Sequence, residues 1–104
     1  MPTQVTPAEV ARRLFKIYEE PFGGKERGRF RISREHFRYI SGRRRLEEST
    51  MSEIVNEAYE KGLVVTDVGD GFSVIAEETM QTYRKVPRKI ADSIVRGSRF
   101  KSGG

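Results

Sequence analysis

The chain has 104 residues and a formal net charge of +5, with 34% charged and 36% apolar side chains, which allows one small domain with a single core. The absence of cysteine excludes a disulfide framework and thiolate metal sites, and the single histidine, His36, excludes a histidine metal cluster. The chain has no apolar run of about 18 residues and no leader-like start, so we expect a cytoplasmic protein without a membrane span.

The first predicted element is a helix near the amino terminus. Residues 6–9, Thr-Pro-Ala-Glu, form a capping box with proline at the first helical position, so this helix should run to about Glu19. The next stretch, residues 21–28, is rich in glycine and basic side chains. It reads as a flexible connection.

A short strand and a second helix follow the connection. Polar and apolar side chains alternate over residues 29–32, which predicts a half-buried strand. Ser33 can cap the helix that follows, which should occupy residues 34–41 and end at Gly42.

A third helix is predicted from helical spacing of apolar side chains. Thr50 and Glu53 have the spacing of a second capping box, and Gly62 is a stop signal. The link between Gly42 and this helix is long if the helix begins at the capping box. Alternatively, the helix starts early, at about Arg45, with Leu46 joining the core.

Two β-prone runs come next, at residues 63–66 and 72–75. The sequence Gly69-Asp70-Gly71 lies between them, and its glycines allow the chain to reverse, so we predict a β-hairpin.

The remaining residues predict a helical tail. Residues 77–86 could form a short helix with Met80 and Tyr83 turned inward, and Pro87 interrupts it. Residues 88–96 have the pattern of an amphipathic helix, and we expect residues 97–104 to be disordered.

The stretch from Ser49 to Ile75 resembles the third helix and wing of winged helix-turn-helix regulators, with the gluconate-operon repressor type as the nearest pattern. It reads Ser-Thr-Met-(x)3-Val-(x)6-Gly-Leu-Val-Val, followed by Gly-Asp-Gly-Phe, and residues 29–40 match loosely. The resemblance implies an α+β winged helix-turn-helix domain over residues 1–86. A basic helical or disordered extension would occupy residues 87–104.

Charge is unevenly distributed along the chain. Residues 25–45 carry nine basic and two acidic side chains, residues 46–78 carry one basic and nine acidic, and residues 79–104 carry seven basic and one acidic. One domain must therefore present opposite electrostatic fields on different surfaces.

Together with the resemblance, the basic stretch implies binding of double-stranded DNA by a small transcriptional or plasmid- or phage-type regulator. Arginine suits phosphate oxygens, and polar side chains at the start of the third helix can contact phosphates or bases. A homodimer through the first or the C-terminal helix is expected, with no cofactor, metal or small-molecule ligand. The predicted DNA contacts are Lys25, Arg27, Arg29, Arg43, Arg44, Arg45, Ser49, Thr50, Ser52 and Asn56.

The acidic third helix supports a different function. Its exposed side would carry Glu53, Glu57 and Glu60, and the wing would carry Asp67 and Asp70, all of which repel phosphates. The alternative is a protein–protein interaction module that docks a basic partner, or a second copy, through this helix and the wing. An enzyme, such as a nuclease subunit, is disfavoured because the sequence lacks paired acids with a lysine or histidine at a plausible site.

Overall fold

The structure, a computed structural model, describes residues 5–97. In chain order it comprises helix α1 (Pro7–Glu19), strand β1 (Phe30–Ser33), helix α2 (Arg34–Ser41), helix α3 (Glu48–Glu60), strands β2 (Leu63–Asp67) and β3 (Gly71–Ala76), and helices α4 (Glu77–Met80) and α5 (Arg88–Arg96). This order confirms the predicted α+β winged helix-turn-helix arrangement with a C-terminal helix.

The three strands form one antiparallel sheet in the order β1-β3-β2. Val74 of β3 lies between Phe30 of β1 and Val65 of β2, and all three side chains are buried. Alternate residues of each strand therefore face the core, as the pleat of a half-buried sheet requires.

The core lies between the inner face of the sheet and helices α1, α2 and α3. The rings of Phe37 and Phe72 meet with centroids 4.5 Å apart, which joins α2 to the hairpin. The buried apolar residues are Val10, Ala11, Leu14, Phe30, Ile32, Phe37, Ile54, Ala58, Leu63, Val65, Phe72 and Val74.

Gly71 permits the close approach of β3 to its neighbour β1. It pairs with Ser33, and a Cβ at this position would lie only 2.3 Å from the backbone oxygen of Ile32. Any side chain here would push the two strands apart, so the start of β3 requires glycine.

The predicted caps of α1 and α2 are confirmed. Thr6 Oγ1 accepts a hydrogen bond from the Glu9 backbone N–H at 3.2 Å, and Ser33 Oγ accepts one from the His36 N–H at 3.0 Å. Gly42 ends α2 with a left-handed φ of 66°.

The predicted capping box at Thr50 is wrong. Helix α3 begins at Glu48, its N-cap is Glu47 without a side-chain hydrogen bond, and Thr50 is half-buried inside the first turn. Leu46 packs against the core, as the early-start alternative expected, but the helix begins at Glu48 and not at about Arg45.

The predicted helix over residues 77–86 is also wrong. Only α4, a single turn, forms, and the side chains of Met80 and Tyr83 are 36% and 55% exposed instead of inward. Short helices depend on packing for their stability, and the exposed side chains of Met80 and Tyr83 supply little of it.

The C-terminal part of the chain follows the prediction for residues 88–96, where α5 forms. We expected residues 97–104 to be disordered. Residues 98–104 lie outside the described part of the chain. No helix within residues 5–97 has the length and apolar character needed to cross a membrane.

Candidate nucleic-acid interface

A groove of about 320 Å³ runs between α3 and the β2–β3 hairpin, which we call the wing. Met51 and Val55 of α3 form part of its apolar floor. Ser52 and Asn56, two of the predicted contact residues, lie on its rim with exposed side chains. Ser49 is exposed on the preceding turn, whereas the half-buried Thr50 is less accessible to a ligand.

Arg44 and Arg45 lie in the loop before α3. Both are exposed, and neither guanidinium has an ion pair or hydrogen bond within residues 5–97. The loop ends at Glu47, the N-cap, so these two cations lie close to the α3 N-terminus. Unpaired backbone N–H groups and the helix dipole favour anions at that end.

Arg43 has a structural role as well as a charge. Its Nη1 donates to the backbone oxygens of Val5 at 2.9 Å and Ser41 at 3.4 Å, and Arg13 donates to the Ile40 oxygen at 2.7 Å. The two arginines therefore satisfy carbonyls at the C-terminus of α2. Removing Arg43 would disturb the fold as well as any ligand contact.

The second predicted cluster lies at the opposite end of α1. The Arg27 guanidinium is 3.8 Å from the Glu19 carboxylate and 5.2 Å from the centroid of the Tyr18 ring, at the end of α1. Since α1 has 13 residues, its ends are roughly 20 Å apart. The structure thus keeps Lys25, Arg27 and Arg29 well apart from the loop before α3.

The carboxylates of the wing are paired with arginines that precede α2 or begin it. Arg34 makes two hydrogen bonds to Asp67, at 3.0 and 3.3 Å, and Arg31 donates to Asp70 at 2.8 Å. Hydrogen bonds from the Arg34 guanidinium and the Gly69 backbone N–H hold the pKa of Asp67 below its ordinary value. The wing is therefore less repulsive to phosphates than its sequence suggests.

The carboxylates of α3 have no such partners. Glu53, Glu57 and Glu60 are exposed and make no ion pair among residues 5–97. Their spacing of four and three residues places them along one ridge. Because Met51 and Val55 mark the side of α3 toward the groove, this acidic ridge faces away from it.

A shallow groove beside α2 contains basic and aromatic residues that the sequence reasoning did not select. It measures about 1000 Å³ and is lined by Arg38, Tyr39 and Arg44, among others. The Tyr39 side chain is 83% exposed. The sequence shows that Tyr39 follows His36 by one helical turn. That Tyr39 lies in the same groove as Arg44 depends on how the loop before α3 folds, which the sequence does not show.

Within residues 5–97, no group of three histidine, cysteine, aspartate or glutamate side chains is placed to hold a metal ion. Comparison of the chain with protein-family models, with curated proteins and with solved structures finds no match in any of the three.

Proposed function

We propose that the protein binds double-stranded DNA with the N-terminal end of α3 and the loop before it. The observation that carries the proposal is that Arg44 and Arg45 are exposed and unpaired, within the described residues, beside a helix N-terminus. Guanidinium groups and helix N-termini both suit phosphate oxygens, and phosphate contacts supply most of the affinity for DNA.

Recognition of a specific DNA sequence would come from side chains on the rim of the groove. Asn56 can pair with an adenine edge, and Ser52 can contact a base or a phosphate. In this orientation the acidic ridge of α3 points away from the duplex, and Arg31 and Arg34 offset the wing carboxylates. The resemblance to winged helix-turn-helix regulators supports the same role, that of a small transcriptional or plasmid- or phage-type regulator acting in the cytoplasm.

The proposal is tested by titrating labelled duplex DNA at several salt concentrations. The double change Arg44→Ala and Arg45→Ala should weaken binding and lower the slope of log affinity against log salt by about 2, because two phosphate contacts are lost. Neither side chain supports the fold, so the thermal unfolding midpoint should stay unchanged.

The matched control is Lys25→Ala with Arg29→Ala, which removes the same charge from the other basic cluster. It should leave the salt slope close to that of the unchanged protein. Equal slopes for both double variants would mean that DNA affinity depends on the net charge of the protein and not on the position of Arg44 and Arg45. Absence of DNA binding by the unchanged protein at low salt would contradict the proposal.

A second candidate function is protein–protein interaction through α3. The specific observation in its favour is that Glu57 and Glu60 lie unpaired, within the described residues, in the last turn of the helix. The helix dipole makes this an unfavourable place for negative charge, so a cationic partner would relieve it.

A further inference from the structure

We call the groove beside α2 that contains Arg38, Tyr39 and Arg44 the basic groove. A smaller, apolar groove of about 330 Å³ adjoins it, lined by residues of α1, the connection to β1, β1 itself and α2. Its lining includes the rings of Phe22 and Tyr39, which are 49% and 83% exposed. Two exposed aromatic side chains in one groove suit a flat, apolar ligand.

The two grooves share part of their lining. His36, Tyr39 and Ile40 belong to both, so the Tyr39 side chain borders an apolar space and a basic one. The two parts of a nucleotide differ in the same way, because its base is flat and largely apolar and its phosphate is an anion. Aromatic rings that stack on bases and a positive groove that follows the phosphates are how proteins hold single strands.

The basic groove has an excess of positive charge. Four arginines and one glutamate, Glu35, line it among residues 5–97. Arg13 is paired with Glu9. The other three, which have no carboxylate partner within that range, are Arg38, Arg43 and Arg44. These guanidinium groups can neutralise phosphates.

The Tyr39 ring is free to stack on a ligand. It makes no contact with another aromatic ring within residues 5–97. A base inside a duplex is already stacked between its neighbours, whereas a base in a single strand can offer its face to a side chain. The apolar groove therefore suits an unpaired base.

We propose that Tyr39 stacks on an unpaired base of a DNA strand that continues from the duplex bound at α3. Arg44 provides the link, because it lies in the loop before α3 and also lines the basic groove. A strand that leaves the duplex at α3 meets this arginine on its way to Tyr39. The inference rests on the proposed DNA binding and names its substrate class, a duplex with a single-stranded end or gap.

Charge and continuity favour a DNA strand over a protein partner. A strand has one phosphate per nucleotide, which matches repeated arginines, and stacking on an exposed ring accepts any base. The basic groove also reaches the loop that we assign to duplex DNA, so both contacts can belong to one ligand.

The test compares a blunt duplex with the same duplex carrying a short single-stranded end, by fluorescence anisotropy at one salt concentration. The unchanged full-length chain should bind the second DNA at least about tenfold more tightly, because a base is stacked. Tyr39→Ala should lose this preference and bind the blunt duplex as the unchanged protein does. Tyr39→Phe should keep the preference, since stacking needs the ring and not the hydroxyl.

Tyr83→Ala is the matched control, because it removes a 55% exposed tyrosine ring outside both grooves. It should keep the preference. Neither ring is buried, so both alanine variants should keep the thermal unfolding midpoint of the unchanged protein. An iodinated uracil in the single-stranded end should cross-link on irradiation to Tyr39 or Phe22, which peptide mass spectrometry identifies.

Equal affinity of the unchanged protein for the two DNAs would overturn this inference and leave the proposed duplex binding in place. A preference that Tyr39→Ala retains, or a cross-link outside the two grooves, would overturn it as well. Absence of binding to either DNA would contradict the proposed function, and this inference with it.

Discussion

At the scale of single residues, Arg34 determines how the wing is held. From the first position of α2 it bonds Asp67 and, at 2.9 Å, the backbone oxygen of Gly69. Its guanidinium also lies 4.9 Å from the centroid of the Phe72 ring. One side chain thus joins α2 to both strands of the hairpin and to the turn between them.

The lowered pKa of Asp67 gives this contact a pH dependence. A carboxylate with a lowered pKa in the folded state stabilises the fold fully above its unfolded pKa, and this contribution is lost as the pH falls below that value. For Asp67 the ordinary value is 3.8. We predict that Asp67→Asn lowers the thermal unfolding midpoint at pH 7, and that the difference from the unchanged protein shrinks below about pH 4.

Thermal melts between pH 3 and pH 7 measure this difference. Glu26→Gln serves as the control, because it removes a carboxylate that has no side-chain partner within residues 5–97. A difference for Asp67→Asn that is the same at pH 3 as at pH 7 would contradict an ionic role for Asp67.

At the scale of elements, α3 is weakly capped at the end that we assign to DNA. Glu47 occupies the N-cap without a side-chain hydrogen bond to the helix. We predict that Glu47→Ser raises the free energy of unfolding by about 0.5–1 kcal/mol, because serine can accept a hydrogen bond from an N–H of the first turn. Chemical denaturation measures the change.

The same substitution should strengthen DNA binding, because it removes a carboxylate beside Arg44 and Arg45. Glu53→Ser, an equal charge change within the helix, is the control and should not stabilise the fold. If both serine variants have the same unfolding free energy, capping does not limit the stability of α3.

Elements governed by local signals were predictable from the sequence, and those governed by distant contacts were not. Ser33 and Gly42 act on their own helix, so the limits of α2 were predicted correctly. Helix α3 begins at Glu48, two residues after Leu46 packs against the core, and not at the local capping signal of Thr50. The partners of the wing carboxylates depend on β1 pairing with β3, which brings Arg34 to Asp67 across 33 positions. The spacing of residues in the sequence predicts neither the start of α3 nor the pairing of Arg34 with Asp67.

The candidate site was predictable only in part, for the same reason. Ser52 and Asn56 lie on the rim of one groove, whereas Arg44, in the loop before α3, lines another groove beside α2. Lys25, Arg27 and Arg29 are equally basic in the sequence, but α1 separates them from that loop.

At the scale of the whole molecule, α1 separates the two basic clusters of the sequence. Arg27 lies beside Tyr18 and Glu19 near the last residue of α1, whereas Arg43 donates to the backbone oxygen of Val5 just before its first residue. The proposed DNA-binding surface therefore includes only the cluster before α3.

The close approach of β1 and β3 at Gly71 has a consequence for finding relatives of this protein. The helix-glycine-hairpin pattern is common to many unrelated chains, so by itself it discriminates poorly. Three residues belong to the same contact between β1, α2 and the hairpin. They are the glycine at the start of β3, which pairs with Ser33, the arginine that begins α2 and the aspartate that ends β2, to which this arginine is hydrogen-bonded. We expect a chain that has all three at this spacing to hold its hairpin in the same way, and a chain with a larger residue in place of the glycine to need a wider spacing between β1 and β3.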